Sequence, residues 1–189
     1  MKLRGAGITN NTLLKIIERN PPHYYVNLLQ TDTEINKISY DELINITKIF
    51  HYSLEANIKI NNFLVSNIKY GWSATLASHI SKRVYGLCSN SKQKKKLERL
   101  YNLNNFNNIF LGVGNNCSFW RKVAPFDIIL SLKPIEKIPQ SCTKNLSDNG
   151  ILFLPFYTDK SIKFVKIDKY QSLEETSINY NSIKLSNIL

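Results

Sequence analysis

The stretch from Asn108 to Leu130 constrains this chain most. It holds two short apolar runs, Ile109 to Val113 and Phe126 to Leu130, with a loop between them. Apolar runs of this length bounded by turn residues fit buried strands of a parallel sheet. Gly114 closes the first run, where a glycine can take backbone angles closed to other residues. Pro125 and Asp127 open the second. Ligands of open α/β sheets bind beyond the carboxyl ends of the strands, which places Gly114 to Trp120 beside a candidate site. Trp120 and Phe126 themselves are expected to pack under the loop.

The rest of the chain reads as strands alternating with helices. Asn62 to Ser66, Arg83 to Cys88, Ile109 to Val113, Ile128 to Leu132 and Gly150 to Pro155 read as strands. Trp72 to Ile80 and Ser91 to Leu103 read as helices, and a further helix is expected from Ile138 to about Gly150. This order implies an α/β sandwich with a mostly parallel sheet. Alternation in Ile162 to Ile167 and the run near Ile183 to Leu185 predict a closing antiparallel pair. Ahead of the sheet, Thr9 or Asn10 can cap a helix to about Arg19, which Pro21-Pro22 stops. Ser39 can cap another that runs through Leu43, Ile46 and Phe50. With 189 residues the chain fits a single domain, residues 1–189, with a helical lead-in over 1–52 and a core over 60–189.

Charge and cysteine usage narrow the function classes. A net charge of +11 suits an acidic partner or nucleic acid. Asparagine, however, occurs 23 times alongside abundant lysine and isoleucine, a bias that raises the lysine count without any partner. The densest run, Lys92 to Lys96, reads as a solvated helix face with no interleaved aromatics, so nucleic acid ranks as a secondary partner. Cys88, Cys117 and Cys142 suit neither a disulfide framework nor a zinc site, and no metal ligand set is found. His23, His51 and His79 are scattered and read as surface or packing residues. No apolar run reaches the roughly 20 residues of a membrane span, and the amino terminus lacks a secretory segment. The expectation is a cytoplasmic monomer.

Asn108-Ile109, Gly114, Trp120 and Ala124-Pro125-Phe126-Asp127 together resemble the protein-L-isoaspartate O-methyltransferase family. The resemblance extends to Leu3-Arg4, Gly7-Ile8-Thr9, Leu13, Glu18, Pro21 and Val26 in the lead-in, to Ile38-Ser39, and to Gly150, Leu152 and Pro155. It implies a Rossmann-like S-adenosylmethionine-dependent methyltransferase fold, helices on both faces and a C-terminal antiparallel hairpin. It also implies methyl transfer to isoaspartyl carboxylates of damaged proteins, which would then be the partners. Such a carboxylate is ionised at neutral pH, so alignment and exclusion of water suffice and few catalytic residues are needed. By the resemblance Ser39 is the catalytic candidate, and Gly71, Gly114 and Asn115 are the cofactor-binding candidates.

The family's cofactor motifs are altered. The glycine-rich turn after the first strand is reduced to Gly71, with Asn67, Ile68 and Lys69 ahead of it. Lys69 can pair with the cofactor carboxylate or stand in solvent, and solvent is the expectation. Cys88 stands where the family carries a ribose-binding acid, and a thiol is a poor acceptor. Asn115 replaces the adenine-binding aspartate but keeps a carbonyl acceptor. These departures predict weak or absent S-adenosylmethionine binding. Three readings follow: a weakened repair methyltransferase, a non-catalytic binding protein on the same scaffold, and a basic RNA-directed methyltransferase.

Overall fold

The apolar runs fold as strands β1 (Ile60–Ser66), β2 (Ser81–Cys88), β3 (Ile109–Val113), β4 (Phe126–Ser131), β5 (Leu146–Tyr157) and β6 (Ile162–Asp168). The computed structural model describes residues 3–29, 40–157 and 162–170. The strands form one sheet in the order β3-β2-β1-β4-β5-β6. All neighbours are parallel except β5 and β6, which run antiparallel. The antiparallel partner of β6 is therefore β5; the Ile183 to Leu185 run lies outside the described residues.

Helices α1 (Asn11–Arg19), α2 (Pro22–Leu29) and α3 (Tyr40–Glu55) precede the sheet. Asn10 caps α1 by accepting from the Leu13 N–H at 3.0 Å. The prolines stop that helix as expected, but Pro22 also begins α2, because proline suits the first helical position where its missing N–H has no bond to make. Helices α4 (Trp72–Ile80) and α5 (Ser91–Leu103) then connect β1 to β2 and β2 to β3.

Phe63, Leu64 and Val65 in β1 and Ile128, Ile129 and Leu130 in β4 are fully buried, as a strand covered on both faces requires. On one face Phe63, Val65, Ile128 and Phe153 pack with Ile49 and Phe50 of α3, Leu76 of α4 and Leu97 of α5. Each such side chain contributes roughly 1.5–3 kcal/mol by leaving water. On the other face Leu64, Tyr85, Ile129 and Leu152 meet a thinner layer: the 3-10 segment Cys117–Val123 and the short helix α6 (Gln140–Thr143).

That thin layer corrects two expectations. The helix expected from Ile138 to Gly150 shrinks to the four residues of α6, and β5 begins instead at Leu146. Gly150 does not end a helix. It lies inside β5 beside a register shift opposite Phe126 and Ile128, where a β-carbon would meet the Phe126 carbonyl oxygen at 2.7 Å. The cysteines are the second correction. Cys117 and Cys142 form a disulfide with their Cα atoms 5.2 Å apart, because the β4 crossover returns the chain to where it left. Cys88 alone is a free thiol, and it is buried.

Asp127, at the start of β4, accepts from the backbone N–H groups of Asn61 at 2.7 Å and Asn62 at 3.1 Å, and from the Ser147 hydroxyl at 3.1 Å. It fastens three strands at their entry. Trp120 is half-buried against Tyr85, with ring centroids 5.0 Å apart, and donates its indole N–H to the Gly86 carbonyl at 3.3 Å. Phe126 is fully buried. Both aromatics pack as expected.

Candidate cofactor crevice

Strand order reverses between β1 and β4, which pair with each other and with β2 and β5 on their outer sides, so a crevice is expected beyond their carboxyl ends. Ser66 and Ser131 end the two strands opposite one another, both buried. Asn67 follows with φ 57°, a left-handed conformation that asparagine tolerates better than other side chains, and it donates to the Ser66 hydroxyl at 3.3 Å.

The next residues do not reach into the crevice. Ile68 is buried and sits over Gly86, where a β-carbon would collide with it. Its backbone N–H donates to the Leu87 carbonyl at 2.9 Å. Lys69 is not free in solvent: its ammonium lies 3.0 Å from the Glu42 carboxylate on α3. One of these side chains turns into the core and the other toward α3. The loops are instead tied together. The Gln93 side-chain amide nitrogen donates to the carbonyls of Ile68 at 2.7 Å and Lys69 at 3.0 Å. Its oxygen accepts from the Ser89 N–H at 2.7 Å and the Ser89 hydroxyl at 3.0 Å. One side chain thus spans the loops after β1 and β2.

Gly71 caps α4 with φ 84°. Its carbonyl accepts from the buried Tyr101 hydroxyl at 2.9 Å, and a β-carbon there would meet that hydroxyl at 2.7 Å. Glycine is required at this position for conformation and packing alike. Gly114 differs from expectation. Its φ lies outside the left-handed region, and a β-carbon would make ordinary contact with Phe119 at 3.5 Å and Leu87 at 3.9 Å. Its N–H donates to the Cys88 carbonyl at 3.0 Å, joining the ends of β2 and β3. Asn115 follows, exposed, and its amide makes no side-chain hydrogen bond among the described residues.

Cys88 ends β2 fully buried, and burial pushes its thiol up to about 12, with Glu98 adding to the rise. It offers the crevice no charged acceptor. Ser39 lies outside the described residues, so its cap and its place relative to the crevice are not part of this geometry. Gly71, Cys88, Gly114 and Asn115 are brought to one end of the sheet. Gln93, which sequence reading missed, joins them; its place three residues after the capping Asn90 was the available signal, since an amide there reaches back to the loop.

Beside this end, an open cleft of about 860 Å³ lies along the lead-in, lined by Arg4, Lys15, Glu18, Pro21 and His23 among others. Its Pro21 end adjoins α4, because Trp72 donates its indole N–H to the Asn20 carbonyl at 2.8 Å. Of the histidines, His79 is held below its ordinary pKa by burial and by Arg19, and it lies 3.1 Å from the Asn20 amide. His51 hydrogen-bonds Thr9 at 3.2 Å. Both do packing work, and no group of three or more metal-ligating side chains occurs among the described residues.

The fold is shared with solved methyltransferases. A putative protein-L-isoaspartate O-methyltransferase from Plasmodium falciparum, solved with S-adenosyl-L-homocysteine, superposes with a TM-score of 0.70 at 15% identity over 90% of this chain and 87% of that one. A second protein-L-isoaspartate O-methyltransferase gives 0.67 at 12% identity over 87% of this chain, which spans only 56% of that one. Together with the sheet order, these make the fold a Rossmann-like methyltransferase fold. Sequence relatives agree: the protein-L-isoaspartate O-methyltransferase of Maricaulis maris is 24% identical over 82% of this chain and 76% of its own length. That of Dictyoglomus turgidum is 22% identical over 81% and 72%. Residues 75–183, more than half of the chain, match the family model itself, and the chain belongs to the protein-L-isoaspartate(D-aspartate) O-methyltransferase family.

Proposed function

We propose that this chain is an S-adenosylmethionine-dependent carboxyl methyltransferase of the isoaspartyl-repair kind whose cofactor site is weakened. The reading rests on one observation: the loop that should cradle the cofactor is bonded to the neighbouring loop, through the Ile68 N–H on Leu87 and the Gln93 amide on Ile68 and Lys69. A ligand entering between these loops must first break or share those bonds. Gly114 and Asn115 remain open on the adenine side, so partial recognition persists. Isoaspartyl-containing peptides are the substrate class, and the cleft beside Arg4 and Lys15 suits the chain that carries the anionic carboxylate. The chemistry needs no strong base, since the nucleophile is already a carboxylate. Ser39 is retained as the residue that positions it.

Titration calorimetry with S-adenosylmethionine, paired with methyl transfer to an isoaspartyl peptide, tests the reading. Expected is a Kd near or above about 1 mM, close to −4 kcal/mol, with slow transfer. Low-micromolar binding overturns the weakening. A second reading, a non-catalytic binding protein on the same scaffold, is favoured by Cys88, buried and un-ionised where an acid would hold the ribose. Complete absence of binding and of transfer, in the Cys88→Glu variant as well, would select it.

A further inference from the structure

Strand β3 is an edge of the sheet, and the face beside it is covered only by the 3-10 segment. Phe110 on β3 is 44% exposed and Phe119 above it is 52% exposed. They belong to one aromatic surface. Phe110 stacks on Tyr85 with centroids 5.5 Å apart, Tyr85 meets Trp120 at 5.0 Å, and Trp120 meets Phe119 at 5.1 Å. Phe119 lies over Gly112, two residues along the strand from Phe110 and on the same side. Tyr85 and Trp120 are anchored below, so the outer rings are held rigidly with their surfaces in water.

Cations lie beside these rings, and Asp127, the nearest acidic residue along the chain after them, is taken up by its bonds to Asn61, Asn62 and Ser147. Arg121 and Lys122 follow Trp120 directly, and Arg83 shares the sheet face of Tyr85; all three are exposed and make no ion pair among the described residues. From Arg99 to Phe126 the sequence contains no acidic residue. Fixed aromatic platforms interleaved with unpaired cations suit a polyanion that carries flat, unpaired rings. An acidic peptide would use the cations and leave the phenyl surfaces wet, and a duplex would hide its base faces. We infer that this edge of the molecule binds single-stranded nucleic acid, with bases stacking on Phe110 and Phe119 and phosphates meeting Arg83, Arg121 and Lys122. The inference needs neither methyl transfer nor a cofactor, although Phe119 borders Gly114 on the adenine side of the crevice.

The test is fluorescence anisotropy of a labelled single-stranded oligouridylate, with heparin as a polyanion lacking bases and a duplex of equal length as a further competitor. Phe110→Ala and Phe119→Ala should each weaken oligouridylate binding about tenfold and leave heparin binding unchanged. Phe119→Tyr should restore it. Arg121→Ala with Lys122→Ala should weaken both ligands and reduce the salt slope by roughly 0.7 per charge removed. Because both phenylalanines are half-exposed, these variants should fold, which circular dichroism checks. Three results would overturn the inference: no oligouridylate binding at low salt, phenylalanine variants that bind as the parent does, or a dimer in sedimentation that Phe110→Ala abolishes, which would assign the edge to a second copy of the chain.

Discussion

Ile68 fills the space left by the missing β-carbon of Gly86, its side chain lying where that carbon would be. The contact crosses from the loop after β1 to the middle of β2, so the loop's path is set by a side chain in the core rather than by a ligand. Gly86→Ala should therefore cost about 1–3 kcal/mol by overpacking. Ile68→Val in the same chain should recover part of that loss. Chemical denaturation of the two single variants and the double variant measures the coupling, and strict additivity would contradict the contact.

Gln93 should restrain the same loop through its amide. Gln93→Ala removes the two bonds to carbonyls and the two accepted from Ser89, all near the surface, and should lower stability by about 1–2 kcal/mol. If those bonds hold the crevice narrow, S-adenosylmethionine affinity should rise by roughly 2- to 10-fold, the equivalent of one net hydrogen bond. Calorimetry on parent and variant reads this directly; an affinity that falls would mean the bonds support the cofactor site.

The two candidate glycines should behave oppositely. Gly71→Ala meets both a left-handed backbone and the Tyr101 hydroxyl, and should destabilise by about 1–3 kcal/mol. Gly114→Ala finds ordinary contact only and should melt within about 0.5 kcal/mol of the parent. Any loss of cofactor binding in Gly114→Ala would then report close ligand approach, separated from folding.

Cys88 should resist alkylation in the native protein at pH 8 and react once the chain unfolds, because burial keeps it a thiol. The linkage has a definite sign. Burial pushes the folded thiol up to about 12, well above an exposed cysteine, so the folded state holds its proton longer. Its contribution to stability is complete below about pH 9 and is lost as pH rises toward 12. Cys88→Ala should flatten that alkaline limb in a pH series of melting curves; an unchanged limb would exclude Cys88 as its source.

The sheet was legible in the sequence because its central strands are buried on both faces, and continuous apolar runs such as Phe63 to Val65 have no other place to go. Helix α5 was placed at its observed bounds, Ser91 to Leu103. The region after β4 was not. Ile138 to Gly150 carries helix-compatible residues, but the register shift beside Gly150 and the pairing of Leu146 with Phe126 are decided by backbone geometry that no local pattern announces. The same limit governed the crevice. Residue types at Asn67, Ile68 and Lys69 correctly marked a departure from a glycine turn, yet the directions of Ile68 and Lys69 depend on Gly86 and Glu42, distant in sequence. Pairing of Cys117 with Cys142 was hidden for the same reason.

That pairing closes a covalent ring across a sequence separation of 25, and the ring contains the whole of β4. Peptide-bond cleavage anywhere inside it, in the exposed Arg121-Lys122 corner for instance, would leave two fragments that still migrate as one molecule until a thiol reductant is added. A chain nicked there would keep β4 joined, through the segment after it and the disulfide, to the part of the molecule that precedes the break, so the strands on either side of the cut stay in one molecule.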